Sequence, residues 1–135
     1  MKQPETEIYK ALSKYISLKY PTIIYRFDFA AGLKMSVGQI ARHKLLNPHK
    51  GYPDLFIAEP RGNYYGLFLE IKASENSPYK KGGGLVSDKH VQEQYNRLME
   101  LSAKGYHCDF AVGLDDCMRK VDKYLGMAME NFKPE

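Results

Sequence analysis

The chain has 135 residues, 44% of them hydrophobic and 27% charged, with a formal net charge of +4. That is enough apolar material for the core of one domain, and the charge is too low for a disordered tail. No apolar run approaches the ~20 residues of a membrane span, and none follows Lys2 as a secretory leader would require, so a membrane partner is not expected, whereas the positive balance favours a polyanionic one.

From Pro4 to Leu18 the pattern is helical: Ile8, Leu12, Tyr15 and Ile16 fall on one stripe, and Glu5 and Glu7 suit the positive end of the helix dipole. Thr22 to Phe29 alternates as a strand, with Ile23, Tyr25, Phe27 and Phe29 on one face and Ile24, Arg26 and Asp28 on the other. A short helix is expected over Val37 to Leu46, inside a basic stretch that carries Lys34, Arg42, His43, Lys44, His49 and Lys50. Asp54 to Ala58 and Tyr64 to Ala73 read as two strands joined by the turn cluster Pro60-Arg61-Gly62-Asn63, a hairpin. Ser74 to Gly84 is a polar loop ending in Lys80-Lys81-Gly82-Gly83-Gly84, which lacks the Gly-Lys-Ser/Thr ending of a nucleotide-binding P-loop. Ser87 is positioned to cap a helix that runs to Lys104 and stops at Gly105. His107 to Leu114 is a further strand. Asp115 or Asp116 then caps a last helix with Met118, Val121, Leu125 and Met129 at helical spacing. The order predicts one α/β domain over residues 1–135, a mixed sheet of about four strands flanked by helices.

Two features are set aside. Cys108 and Cys117, nine apart, match no zinc motif and are expected as reduced thiols. His43, His49, His90 and His107 are too scattered to form a metal-ligand spacing.

The chemistry is expected on the hairpin. Asp54 and Glu70 each lie eight residues from Gly62, so a turn centred there places them opposite one another. Directly paired side chains stand about 4.5–5.5 Å apart at Cβ. Two carboxylates that close repel unless a cation lies between them, and hard oxygen ligands suit Mg²⁺ or Mn²⁺. The backbone carbonyl of Ile71 is a further candidate ligand. Strand alternation sends Leu67, Leu69 and Ile71 into a core and puts Phe68, Glu70 and Lys72 on the other face, so Lys72 sits beside the metal position, where it can hold a water or stabilise charge on a phosphate. Taken singly, Glu-x-Lys is a solvent-facing ion pair and Pro-Asp a simple turn. Aligned across one hairpin, they point to a shared site.

Pro53-Asp54 followed by Glu70-Ile71-Lys72 resembles the signature of the PD-(D/E)XK nucleases, whose core is restriction-endonuclease-like. Within that superfamily the chain is most similar to VRR-NUC domains, especially the short stand-alone domains of bacteriophages. Gly51-x-Pro53-Asp54, the opening Glu5-Thr6-Glu7-Ile8, Arg26, Gly32, and Gln94 with Leu101 and Gly105-Tyr106 all take part in the likeness. The resemblance implies a DNA endonuclease using Mg²⁺ or Mn²⁺. Asp54, Glu70 and Glu5 would be linked to metal, Lys72 would be catalytic and Gln94 would lie in the active site. It also implies branched DNA such as four-way junctions as substrate, a homodimer, and a place in the cytoplasm of a bacterial or phage-infected cell. Glu7 competes with Glu5, and the spacing to Ile8 and Leu12 favours Glu5. Gln92 competes with Gln94, and the distance to Gly105 favours Gln94. Where the family often has an aromatic three residues after the Gln, this chain has Arg97.

Lys80, Lys81 and Lys89 are either phosphate contacts or a solvated face. Met118, Met127 and Met129 are candidates for a dimer surface or for core. Two rivals remain: a DNA-binding protein with the nuclease fold but no activity, and a partner-binding α/β domain in which Glu70 and Lys72 form a surface ion pair.

Overall fold

The computed structural model describes residues 5–28 and 34–129. Pro4, Phe29 and Gly32, which enter the expectations above, lie outside the described residues.

Helix α1 (Glu5–Lys19) carries Glu5 and Glu7 in its first turn and Lys19 in its last, matching the helix dipole, and it buries Ile8, Leu12 and Ile16 completely. Strand β1 (Tyr25–Phe27) is shorter than the eight-residue run of β-favouring residues predicts. Its alternation holds nonetheless: Tyr25 and Phe27 pack on the core with Ile23, Arg26 faces the opposite side, and Ile24 is exposed. Helix α2 (Val37–Leu46) has the predicted bounds. Ser36 accepts from Gln39 N, and the Gln39 side chain accepts from Ser36 N in a reciprocal cap. None of its residues is buried.

Strands β2 (Leu55–Ile57) and β3 (Leu67–Lys72) form the expected antiparallel hairpin, with Leu55 opposite Leu69 and Ile57 opposite Leu67. One further step along that register sets Asp54 opposite Glu70. Both strands are shorter than the apolar pattern suggests, because Gly66 and the Arg61–Tyr64 bridge belong to the turn region. A Cβ on Gly66 would lie 2.8 Å from the Ile57 carbonyl oxygen, so only glycine lets the strands approach there.

A short 3-10 turn (Ser74–Asn76) and the basic loop lead to helix α3 (Lys89–Ala103). Its cap is Asp88, which accepts from Val91 N, rather than the expected Ser87. Helix α3 is the crossover that lets β4 (His107–Val112) run parallel to β3. Helix α4 (Leu114–Leu125) starts after Gly113 (φ 80°) without a side-chain cap. Asp116, one of the two residues expected to cap it, accepts from Val112 N instead and ties the helix to β4. The helix ends at Gly126, so Met129 lies beyond it and is exposed, while Met118 and Met127 pack on the core.

The sheet order is β1-β2-β3-β4. Helices α1 and α4 cover one face, where Ile8, Leu12, Ile16, Val121 and Tyr124 meet Leu67, Leu69 and Ile71. Helix α3 covers part of the other, where Val91 and Leu98 meet Phe110. Every residue of β3 is therefore buried, including those on the face opposite the main core. Among the described residues no helix is long and apolar enough to cross a membrane.

Candidate active site

The antiparallel register ends at Leu55, and the chain enters it through Gly51-Tyr52-Pro53-Asp54. This entry is held from both sides. Gly51 (φ 72°) lies so close to α3 that a Cβ would sit 3.2 Å from the Glu93 carbonyl oxygen. Arg97 Nε donates to the Lys50 carbonyl at 3.0 Å. Arg97 thus pins the segment leading to Asp54.

Asp54 is 9% exposed and Glu70 4%. Asp54 Oδ2 accepts from Ile71 N at 2.8 Å. The Lys72 carbonyl accepts from Gly113 N on the β4 side. Strand alternation therefore points both polar groups of Ile71, its carbonyl included, past the end of β2 toward Asp54. Burial raises the Asp54 carboxyl above its ordinary range, partly offset by the Ile71 N–H and the Tyr9 hydroxyl. Burial and then the charge of Asp54 raise Glu70, against the pull of the Lys72 ammonium. The cause common to both is desolvation; the Asp54 charge further disfavours ionisation of Glu70, whereas Glu70 hydrogen-bonds Asp54 and favours its ionised form.

Lys72 is buried on the same face as Glu70 and, among the described residues, forms no ion pair. A solvated Glu-x-Lys pair is not what the strand carries. Gln94, on α3, is also buried; its amide nitrogen donates to Glu70 Oε1 and lies 3.3 Å from His90 Nε2. Gln92 points elsewhere, donating to the Val86 carbonyl at 2.8 Å. Among the described residues, Glu70 Oε2 and Gln94 Oε1 are buried without a hydrogen-bond partner.

Those orphaned oxygens and the desolvated carboxyl pair fit a hard divalent cation. Asp54 and Glu70 are its natural ligands, with the Ile71 carbonyl beside them. Glu5 acts electrostatically on Asp54, Glu70 and Tyr9 from the first turn of α1, whereas Glu7 is exposed. Yet among the described residues no three His, Cys, Asp or Glu side chains gather into a metal-binding group, so Glu5 flanks the pair without completing a triad.

Outside the pair opens a cleft of about 960 Å³, lined by Arg26, His43, Lys44, His49, Lys50, Tyr52, Phe56 and His90 among others. Part of the basic stretch thus borders the carboxylates, while Lys80, Lys81 and Lys89 are exposed and do not line the cleft. Tyr9, His90, Arg97 and Tyr52 are site residues to which the sequence reading gave no role. The one available signal was the four-residue spacing of His90 and Gln94, which stacks them on one helix face.

Among solved structures, a chain described as a VRR_NUC domain protein superposes with a TM-score of 0.62, covering 93% of this chain and 91% of that one at 24% identity. The chain therefore shares its fold with that VRR_NUC domain protein: an α/β architecture whose four-stranded mixed sheet is flanked by helices, consistent with a restriction-endonuclease-like fold. No family model and no curated protein sequence matches the chain.

Proposed function

We propose that this chain is a divalent-metal-dependent nuclease that hydrolyses DNA phosphodiester bonds, with Asp54 and Glu70 binding the metal and Lys72 as the catalytic cation. The observation that carries the reading is the burial of two adjacent carboxyl groups, with Glu70 Oε2 unpartnered among the described residues, beside a cleft bordered by cationic side chains. A fold gains nothing from such a pair by itself, since burying carboxyl groups costs stability, whether they are ionised or held protonated, unless a cation joins them.

A bound Mg²⁺ or Mn²⁺ would supply polarisation of the phosphate and a more acidic water. The chain's own residues set the rest. The Ile71 N–H and the Tyr9 hydroxyl orient Asp54. Gln94 orients Glu70. Lys72 holds a fixed positive charge one step along the face from Glu70, placed to steady charge that develops on the phosphate. His43, Lys44, His49 and Lys50 hold the DNA backbone.

Endonucleolytic cutting of branched DNA, four-way junctions above all, and a homodimer belong to the proposal through the family resemblance. One site per chain makes one cut per encounter, and a two-fold dimer would supply two at a fixed separation. A catalytically silent DNA-binding protein remains the second reading, favoured by the cleft alone. The burial of Glu70 and Lys72 speaks against a surface ion pair serving a protein partner.

A cleavage assay on linear, flapped and four-way DNA, with and without Mg²⁺, tests the reading, with light scattering at matched concentration. Metal-dependent cutting supports it. DNA binding with no cutting in Mg²⁺ or Mn²⁺ would leave only the silent binder. A strict monomer that cuts linear duplex as fast as a junction would keep the chemistry and remove the junction selectivity.

A further inference from the structure

We infer that Tyr52 forms a stacking subsite for an unpaired nucleobase beside the scissile phosphate, which makes it a specificity residue of the cleft. The inference rests on the nuclease reading and deepens it.

Tyr52 is a large aromatic left 48% exposed two residues before Asp54, and it lines the same cleft. It is exposed but not loose. Its ring meets Phe68 edge to face, with centroids 5.7 Å apart at 88°. Phe68 is stacked on Phe56 at 4.5 Å and 23°. The Arg97–Lys50 hydrogen bond and the close approach of Gly51 to α3 hold the backbone on one side, and Pro53 stiffens it on the other. A tyrosine held in this way offers a rigid π-face at little entropic cost.

The placement decides the ligand. Phe68 and Glu70 are alternate residues of β3, so they share a face at about 7 Å along the strand. The aromatic patch thus lies about one nucleotide's reach from the carboxylates. His49 and Lys50, three and two residues before Tyr52, line the cleft and complement the phosphates of the same strand. A ring on a cleft floor can meet the face of a nucleobase only if that base has left the helical stack, because in a duplex both faces are covered by neighbours. The subsite therefore selects DNA with an unpaired or extruded nucleotide next to the cut, and any of the four bases will serve.

The test compares wild type with Tyr52→Ala, Tyr52→Leu and Tyr52→Phe. Fluorescein-labelled single-stranded DNA and its fully paired duplex are titrated in Ca²⁺ and followed by anisotropy. A strand carrying 2-aminopurine reports stacking on the protein by quenching. Wild type is expected to bind the single strand more tightly than the duplex and to quench 2-aminopurine. Ala and Leu should each weaken single-strand binding by about 5- to 150-fold and abolish the quench, while Phe, which keeps the π-face, should stay within about threefold of wild type. Leu retains apolar bulk, so its failure together with a melting temperature near wild type excludes simple loss of packing. Single-strand affinity unchanged in Ala and Leu, or a wild type that prefers duplex without quenching, would overturn the inference. Cleavage is read separately. A Tyr52 effect on binding with no cutting in any metal would sink the nuclease reading alone. Intact cutting with indifferent Tyr52 variants would sink this one alone.

Discussion

The side-chain amide of Gln94 donates to Glu70 Oε1 at 2.5 Å, joining α3 to β3 across 24 residues of sequence. The same nitrogen lies 3.3 Å from His90 Nε2. With one proton of the amide directed at Glu70, the other is available to His90 Nε2. Gln94 is thereby fixed between an acid and an imidazole on one helix face. Gln94→Ala should cost about 10- to 100-fold in metal affinity or in activity, as removal of a group that orients a ligand usually does. His90→Ala should cost less. Because Gln94 acts through Glu70, raising Mn²⁺ should recover part of the loss. A Gln94→Ala protein with wild-type metal dependence would remove Gln94 from the site.

Asp54→Ala, Glu70→Ala and Lys72→Ala should each lower cleavage by at least about 100-fold, the scale on which groups acting on transition-state charge contribute. Their circular dichroism spectra should remain those of the folded protein. Near-normal turnover by Lys72→Ala in saturating Mg²⁺ would contradict the role assigned to Lys72.

Glu70→Gln replaces the buried carboxyl by a neutral isostere beside Asp54. In EDTA at neutral pH the variant should melt higher than wild type, since folding no longer has to hold protonated a carboxyl that burial and Asp54 raise to about 9. Adding Mn²⁺ should reverse the order. A ligand present at about 100 times its Kd stabilises the native state by about 2.7 kcal/mol, and only wild type should gain it. Ca²⁺ should also raise the wild-type melting point but support little cutting, because its looser coordination orients the reactants poorly. Thermal melts with each ion decide this. Equal stabilisation of wild type and Glu70→Gln would place the metal elsewhere.

Asp122 links α4 to α1 and to the residue just beyond it. It accepts from Tyr15 and Tyr20 at 2.6 Å each and pairs with Lys19 at 3.1 Å. Burial works to raise its carboxyl, but the two hydroxyls and the ammonium reverse that and hold it below the ordinary carboxylate range. A depressed folded value means that the native state favours the ionised form. The stabilisation is complete above the unfolded value of about 3.9 and is lost as pH falls through the folded one. Melting temperatures measured from neutral pH into this acid range should therefore fall more steeply for wild type than for Asp122→Asn. Parallel profiles would show that the network carries no linked proton.

Gly66→Ala should destabilise by about 1–3 kcal/mol, the usual cost of forcing bulk into a packed position. The added methyl would meet the Ile57 carbonyl and the Phe56 ring. Denaturant melts give the loss, and the variant should cut more slowly as well, because the β2–β3 register that sets Asp54 opposite Glu70 depends on that approach. A neutral substitution would mean that the strands part there at no cost.

The sequence alone determined what depends on near neighbours. The 3.6-residue stripe of Ile8, Leu12 and Ile16 specified α1, the run Val37 to Leu46 marked α2, and the equal spacing of Asp54 and Glu70 about Gly62 set the hairpin register. Each of these follows from local periodicity or from a turn. Tertiary structure decided which side chains meet across elements. Period-two alternation separates the Glu70 face from the Leu69 face, but it cannot say that α3 will roof the Glu70 side and turn an apparent surface ion pair into a buried, repelling site. Nor can it say that Gln94 rather than Gln92 reaches Glu70, that Arg97 pins the approach to Asp54, or that Tyr9 arrives from α1. Those pairings hang on the angle at which each helix packs on the sheet. That angle is set by the summed burial of many side chains distant in sequence, and no local pattern encodes it.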